Sequence, residues 1–325
     1  MKAPAPGTRR AAARLGIDRG ADRRVPVLVD CDNTMGLPRN EIDDGLTLLA
    51  LLASSAVEIV GVTTTFGNGP EDLVFRQTES LLSRAGHGGI PVVRGARTAG
   101  DSASEAASFI ARTAREHSGR LAVLAIGPLT NIAAALRGDP DFARNVTQVY
   151  VMGGYLGSLR FLRREVKELN LSSDPEAAFD VLHSCLPVVL MSAQLCLQAR
   201  FGLRHLIGEL VANPRLARTI VEWFLAFSIY CGTAGFYLWD LVPAWAIMEP
   251  GRFVHRTVRV RSDLSDLVSG TLRVEASPGG LQTGGVIDLP ERILRRFRFA
   301  ADCARLWRQL RLRPNGRDKE RGNEC

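Results

Sequence analysis

From Val25 onward the chain alternates short apolar runs with longer amphipathic stretches. The runs VPVLVD (25–30), EIVGVTTTF (58–66), IPVVRGA (90–96), LAVLAIG (121–127), VTQVYVMGG (146–154) and LPVVLMSA (186–193) are β-rich. Several are apolar on both faces, as strands buried inside a parallel sheet must be. Between them, residues 43–54, 71–86, 102–119, 129–138 and 174–184 have helix length and helix formers, with Gly, Asp or Ser near several ends. This alternation predicts right-handed crossovers and a sheet covered on both faces. After about residue 200 the pattern turns mainly helical through 249. Residues 253–263 and 271–278 then predict a late antiparallel strand pair, and 291–312 a last helix. Without linker or repeat, the expected architecture is α/β: a single domain with a mostly parallel, open, Rossmann-like sheet flanked by helices. That domain covers 25–312, between a basic arm (1–24) and a polar tail (313–325).

Composition changes this little: 325 residues, 46% hydrophobic and 23% charged, suit one large α/β domain. Charge changes it more. The net +7 is a property of the ends, with +5 on residues 1–24 and +6 on 291–325, leaving −4 on 25–290. The body lacks the Lys/Arg clusters with interleaved aromatics of a nucleic-acid face. No apolar run reaches the roughly 18 residues that span a bilayer. Neither a nucleic-acid nor a membrane partner is expected. The Arg- and Ala-rich start lacks the roughly 7–15-residue apolar stretch of a secretory signal. The six cysteines are scattered, with no C-x-x-C pair. That argues against zinc and a disulfide framework, and predicts buried free thiols in a cytoplasmic protein.

In such sheets the ligand lies beyond the carboxyl ends of the strands. The segments to read are therefore Asp30–Asp44, Gly67–Gly69, Gly127–Asn131 and Gly153–Asn170. The first strand ends in DCDNTMGLPRNEIDDG (30–45), which places Asp30, Asp32, Asp43 and Asp44 within fifteen residues. Acids that close repel unless a positive charge sits among them. Hard oxygen ligands select Ca²⁺ or Mg²⁺. The plain alternative is that Asp43 and Asp44 cap the following helix. An apolar strand followed by D-x-D-N-T resembles the first motif of the haloacid dehalogenase phosphatases. That resemblance implies Asp30 as nucleophile, Asp32 as acid/base and Mg²⁺ as cofactor, but it also requires a phosphate-binding lysine. Of the three lysines, Lys2 and Lys319 lie in the tails and Lys167 in the charged stretch RREVKE. The acids Asp139 and Asp141 follow a helix, not a strand.

Five ordered blocks carry a different resemblance. The first segment is similar to the D-x-D…[IV]-D-D signature of the nucleoside hydrolases, with a longer loop (NTMGLPRNE) between its halves. TTTFGN (63–68), AIGPLTNIAAAL (125–136), VMGG (151–154) with ELNLSSDPEAA (168–178), and YLWDLVPAWAIMEPGRF (237–253) follow in the family's order. The resemblance spans about 25–310 and implies the nucleoside hydrolase fold and cleavage of a ribonucleoside to ribose and free base. It implies Ca²⁺ held by Asp32, Asp44, Asp240 and the backbone carbonyl of Ile126, where relatives usually carry Thr. It further implies that Asp43 takes a proton from a Ca²⁺-bound water, that Asn68, Glu168 and Asn170 bind ribose hydroxyls, and that Asp30 orders the loop behind the ligands. Homodimers or homotetramers are common in the family.

Each residue has a plainer reading. Asn68 in Gly-Asn-Gly is also a turn residue. Glu168 is also one more charge in RREVKE. Asn131 reads as a loop tie, and Asp174 before Pro175 as a helix N-cap. Trp239 departs from the branch of the family with His before the late Asp. It resembles a purine-preferring branch that stacks Trp on the base, though a core role is also open. The family's Asn ahead of E-x-N has no clear counterpart in SLRFLRREVK (158–167), which leaves Arg160, Arg163 or Arg164 to reach a 5′ substituent. Gln194 stands where relatives often carry Asp. A non-catalytic nucleoside or ribose binder is the alternative from another class, and the retained Asp43 argues against it.

Overall fold

All seven residues of β1 (Val25–Cys31) are buried, because the strand runs in mid-sheet between two parallel partners. The structure, a computed structural model, describes residues 24–277, 284–310 and 312–313. The basic arm up to residue 23, the tail from 314 and Cys325 lie outside them.

The strands are β1, β2 (Val57–Thr64), β3 (Val92–Val93), β4 (Leu121–Ala125), β5 (Val146–Met152), β6 (Val188–Met191), β7 (Arg200–Phe201), β8 (Phe236–Tyr237), β9 (Phe253–Val260), β10 (Val274–Ala276) and β11 (Val286–Ile293). Nine of them form one sheet in the order β10-β9-β11-β6-β5-β4-β1-β2-β3, and β7 pairs with β8 separately. From β3 to β11 every pairing is parallel; β9 is antiparallel to both β10 and β11. The helices of eight residues or more are α1 (Asp43–Ala53), α2 (Glu71–Arg84), α3 (Glu105–Glu116), α4 (Thr130–Gly138), α5 (Pro175–His183), α6 (Leu203–Ala212), α7 (Pro214–Cys231), α8 (Leu241–Met248) and α9 (Arg296–Trp307). No helix of the described residues is long and apolar enough to cross a membrane.

Two apolar layers cover the sheet. On one face Leu46 and Leu49 of α1, Trp245 of α8 and Phe299 and Trp307 of α9 pack with Phe201 and Phe236. The indole N–H of Trp307 donates to the Leu46 carbonyl at 2.9 Å, which ties the last helix to the first. On the other face Ile110, Ile132 and Val181 pack from α3, α4 and α5. At the N-terminus of α5 the Asp174 side chain accepts the Ala177 N–H at 3.0 Å with Pro175 in the first helical position, the cap read from the sequence.

The α/β sheet, its covering helices and the late antiparallel pair are as expected. Three details differ. The last helix does not begin at 291: residues 286–293 form β11, which joins the antiparallel pair to parallel β6, and the helix starts at Arg296. Asp288 and Pro290 interrupt the apolar alternation of this strand, hiding it in the sequence. Asp288 is tolerated because His255 on β9 meets it at 2.6 Å, and the register shifts just after Pro290. The run 90–96 contributes only Val92–Val93 to the ladder, at the sheet edge. Cys31, Cys196, Cys231 and Cys303 are free and buried as expected, but Cys185 is exposed.

Candidate active site

Strand register collects the candidate residues. Asp30 is level with Thr63 on β2 and Ala125 on β4, so the chain after each strand opens onto the same carboxyl edge. Asp30 points into the layer below that edge, fully buried. Its Oδ1 accepts from Thr63 Oγ1 at 2.6 Å and Asn131 Nδ2 at 2.8 Å. Burial pushes its pKa up to about 7, against those two hydrogen bonds. Asn131 also donates to the Thr64 carbonyl and accepts from the Ala96 N–H. It is a loop tie and holds Asp30 in place.

Asp32 sits one step further out. Its Oδ2 accepts the Asn68 N–H at 2.6 Å, and its own N–H donates to Asp44 Oδ1 at 3.2 Å. Gly67, at φ 148°, makes this approach possible: a Cβ there would stand 2.0 Å from Asp32 Oδ2. Asn68 Nδ2 donates to Asp44 Oδ2 at 3.3 Å. Asp43 and Asp44 open α1, but neither caps it. The carboxylate of Glu41 accepts the Asp43 N–H instead, at 2.6 and 2.7 Å. Asp43 Oδ2 accepts the Asp240 N–H at 2.7 Å, joining the start of α1 to the start of α8 across 197 residues of chain. Oxygens of Glu41, Asp44 and Asp240 lie within 4.8 Å of one another.

The electrostatics of this cluster are one-sided. Burial raises the pKa of Asp240 well above the carboxylate range, and the charges that add to it are all acids: Asp44, Asp43, Glu41 and Asp32. Burial and like charge also hold Asp43 and Asp44 high and bring Asp32 up to about 7; burial alone, against hydrogen bonds from the start of α1, brings Glu41 to about 7. Asp32 Oδ1 and Asp43 Oδ1 are buried without a hydrogen-bond partner. Five acids and two orphaned oxygens in one place fit a hard divalent cation, which would let the group ionise together. Nothing in the sequence pattern separates Glu41 from the linking loop; an acid two residues before a D-D pair is the only hint.

A cavity of about 650 Å³ lies over the cluster. Asn68, Ile126, Glu168, Asn170, Trp239 and Asp240 all line it. Asn170 Nδ2 donates to the Ile126 carbonyl at 3.1 Å and the Met152 carbonyl at 3.0 Å. That occupies both of its amide protons and leaves Oδ1 as its free acceptor. Glu168 is buried rather than one more exposed charge. Its carboxylate takes the N–H groups of Gly154, Leu171 and Ser172, organising the loop around the cavity, while burial raises its pKa. Trp239 is half-buried, tilted against Tyr237 at 5.3 Å between ring centroids. Gln194 is spent on loop 155–157: it accepts the Leu156 N–H and donates to the Gly157 carbonyl. Arg163 donates to the Ile229 carbonyl, whereas Arg164 lines the cavity.

Known proteins match this chain in sequence and in fold. The family model described as inosine-uridine preferring nucleoside hydrolase matches residues 27–292. A probable uridine nucleosidase 1 of Oryza sativa subsp. japonica is 27% identical over 261 residues, 70% of this chain and 80% of that protein. A solved plant nucleoside hydrolase, PpNRh1, superposes with a TM-score of 0.77 at 20% identity, covering 88% of this chain and 99% of the other. A purine-preferring ribonucleoside hydrolase from Gardnerella vaginalis gives 0.74 at 20% identity, over 87% and 99%. At those identities the structural likeness speaks for the fold.

Proposed function

Because this chain belongs to the inosine-uridine preferring nucleoside hydrolase family, we propose that it hydrolyses the N-glycosidic bond of a ribonucleoside, purines foremost, to ribose and free base. The observation that carries this reading is the ring of buried acids under the cavity, with one oxygen of Asp43 left open. Asp32, Asp44 and Asp240, the Ile126 carbonyl and the neighbouring Glu41 would hold Ca²⁺. When bound, that ion supplies positive charge, which offsets the acids and lowers the pKa of adjacent water. Asp43 takes the proton of the attacking water on Oδ1, since the Asp240 N–H occupies Oδ2. Asp43 and Asp240 are thereby held to one another, which fixes the base relative to the sugar site. Asn170 accepts a hydrogen bond from a ribose hydroxyl on Oδ1, and Asn68 and Glu168 close the sugar site beside it. Asp30 orders the loop from beneath. The sugar passes through an oxocarbenium-like state, as in other glycoside hydrolysis.

Trp239 lines the cavity and has no proton to give a leaving base except its indole N–H. A purine can leave after protonation at N7 while stacked on the indole; a pyrimidine has no equivalent basic site. Stacking on an aromatic side chain is worth about 1–3 kcal/mol per base. The rice relative is named for uridine, so base preference is the sharpest point of the reading. Base release from inosine, adenosine, guanosine, uridine and cytidine should favour the purines and stop with a chelator. Trp239→Ala should lower kcat more than it raises KM. Release of phosphate from p-nitrophenyl phosphate, without base release, would replace this reading with the phosphatase one. Four buried thiols support a cytoplasmic setting.

A further inference from the structure

The mouth of the cavity has a charge opposite to its floor. Three cations, Arg39, Arg164 and Lys167, line it together with one acid of the rim, Glu165. All four are solvent-exposed. They come from two separate segments: Arg39 from the long loop between Asp32 and Asp43, the others from the stretch 158–167. Among the described residues none of the three cations has an ion pair. By contrast, Arg94, Arg115, Arg252 and Arg308 are each matched to an acid. Arg164 is held over the ring of Tyr230, 4.7 Å from its centroid, and Tyr230 also lines the cavity. Arg39 takes φ 63°, in the left-handed region a non-glycine residue seldom occupies. Such backbone persists where its surroundings impose it, and it concentrates at ligand sites. In a body of net −4, converging unpaired cations over an acidic floor are not a by-product of overall charge.

We infer that this rim is a subsite for an anion on the 5′ oxygen, so that the substrate class is the nucleoside 5′-monophosphate. The inference rests on the glycosidic reading, with the base against Trp239; of the ribose hydroxyls, the adjacent 2′ and 3′ pair is the one that can turn together toward the acidic floor. C5′ is then the sugar position left to carry a charged group toward the rim. Arg and Lys together suit a phosphate: a planar fork for two oxygens and a mobile point charge for a third. Glu165 lowers the attraction without cancelling it, three cations facing one acid.

The test compares inosine with inosine 5′-monophosphate, and uridine with uridine 5′-monophosphate, on the full chain with Ca²⁺ at low ionic strength. Orotidine, whose anion sits on the base, is the control for position. The expected result is a kcat/KM at least tenfold higher for the monophosphates, shrinking as salt screens the rim. Arg164→Gln and Lys167→Gln should each cut that ratio at least threefold, and Arg164→Lys should restore part of it. Binding of ribose 5-phosphate against ribose, by calorimetry, reads the subsite without turnover and should show the same tenfold preference. Equal kcat/KM for inosine and its monophosphate overturns the inference and leaves the hydrolase reading standing. A preference for orotidine alone moves the cations to the base side and overturns it too. Absent hydrolysis of every substrate, with ribose 5-phosphate still preferred, sinks the hydrolase reading while upholding the anion subsite.

Discussion

At Asp43 one carboxylate oxygen accepts the Asp240 N–H and the other is buried without a partner. Replacing the carboxylate by an amide keeps the shape and removes the basicity. Asp43→Asn should leave ribose affinity largely intact and lower kcat by about 10²–10⁴, the usual worth of general base catalysis; near-normal kcat would make Asp43 a structural residue. Asp44 differs, because both of its oxygens are committed to the cluster, to the Asp32 N–H and to Asn68 Nδ2. Asp44→Ala should abolish both tight Ca²⁺ binding, read by calorimetry, and turnover. A wild type that binds no divalent cation would remove the metal from the account altogether. The four sequence-adjacent acids Asp30, Asp32, Asp43 and Asp44 were legible as a group because their density alone is costly. Glu41 was not legible: its place in the ring depends on how a loop of non-repeating sequence folds back.

At the scale of elements, β11 joins the two parts of the sheet by strand pairing, and a partly buried polar pair, His255 and Asp288, ties it to β9. Burial opposes a charge on His255, but the hydrogen bond and charge of Asp288 and the Pro250 carbonyl together hold its pKa above the ordinary 6.5. A raised folded pKa means that the stabilisation is fully present below pH 6.5 and fades as pH rises through the folded value. His255→Gln should therefore cost on the order of 1 kcal/mol in acid and less in mildly alkaline solution, read by denaturant unfolding at pH 5.5 and 8.5. A pH-independent loss would mean that the pair works through shape alone. The pair is also why β11 escapes a pattern search: an acid and a proline stand where alternation asks for apolar residues. Only the neighbouring strand makes them acceptable.

For the whole molecule, the acids under the cavity should make stability depend on pH, and on the cation of the proposed function. Burial raises Asp30 and Asp32 from the ordinary 3.8 to about 7. In the metal-free chain the folded state thus binds more protons than the unfolded one, and stability falls as pH rises from about 4 through 7. Ca²⁺ should flatten that fall and add about 2.7 kcal/mol at a hundred times its Kd. At roughly 2 °C per kcal/mol for a chain of this size, Tm should rise by roughly 5 °C at pH 8. Thermal melts with Ca²⁺ and with chelator, at pH 5 and 8, check this. A Tm indifferent to both would argue that the cluster holds no cation.

The sequence by itself determined the parallel sheet, because strands buried on both faces must be apolar throughout and helices between them must not be. It also determined where acids accumulate, since D-x-D and D-D lie on either side of one strand–helix junction. The N-cap at Asp174 was legible too, as a local hydrogen bond within four residues. Tertiary structure decided what required distant segments to meet. It put Asp240 on Asp43 across 197 residues, brought Glu41 into the ring, and turned Glu168 from an apparent surface charge into a buried acceptor of backbone N–H groups. It placed β11 beside His255 and gathered Arg39 with Arg164 at one mouth. Periodicity reports burial along a chain, whereas the partner of a buried charge is chosen across it.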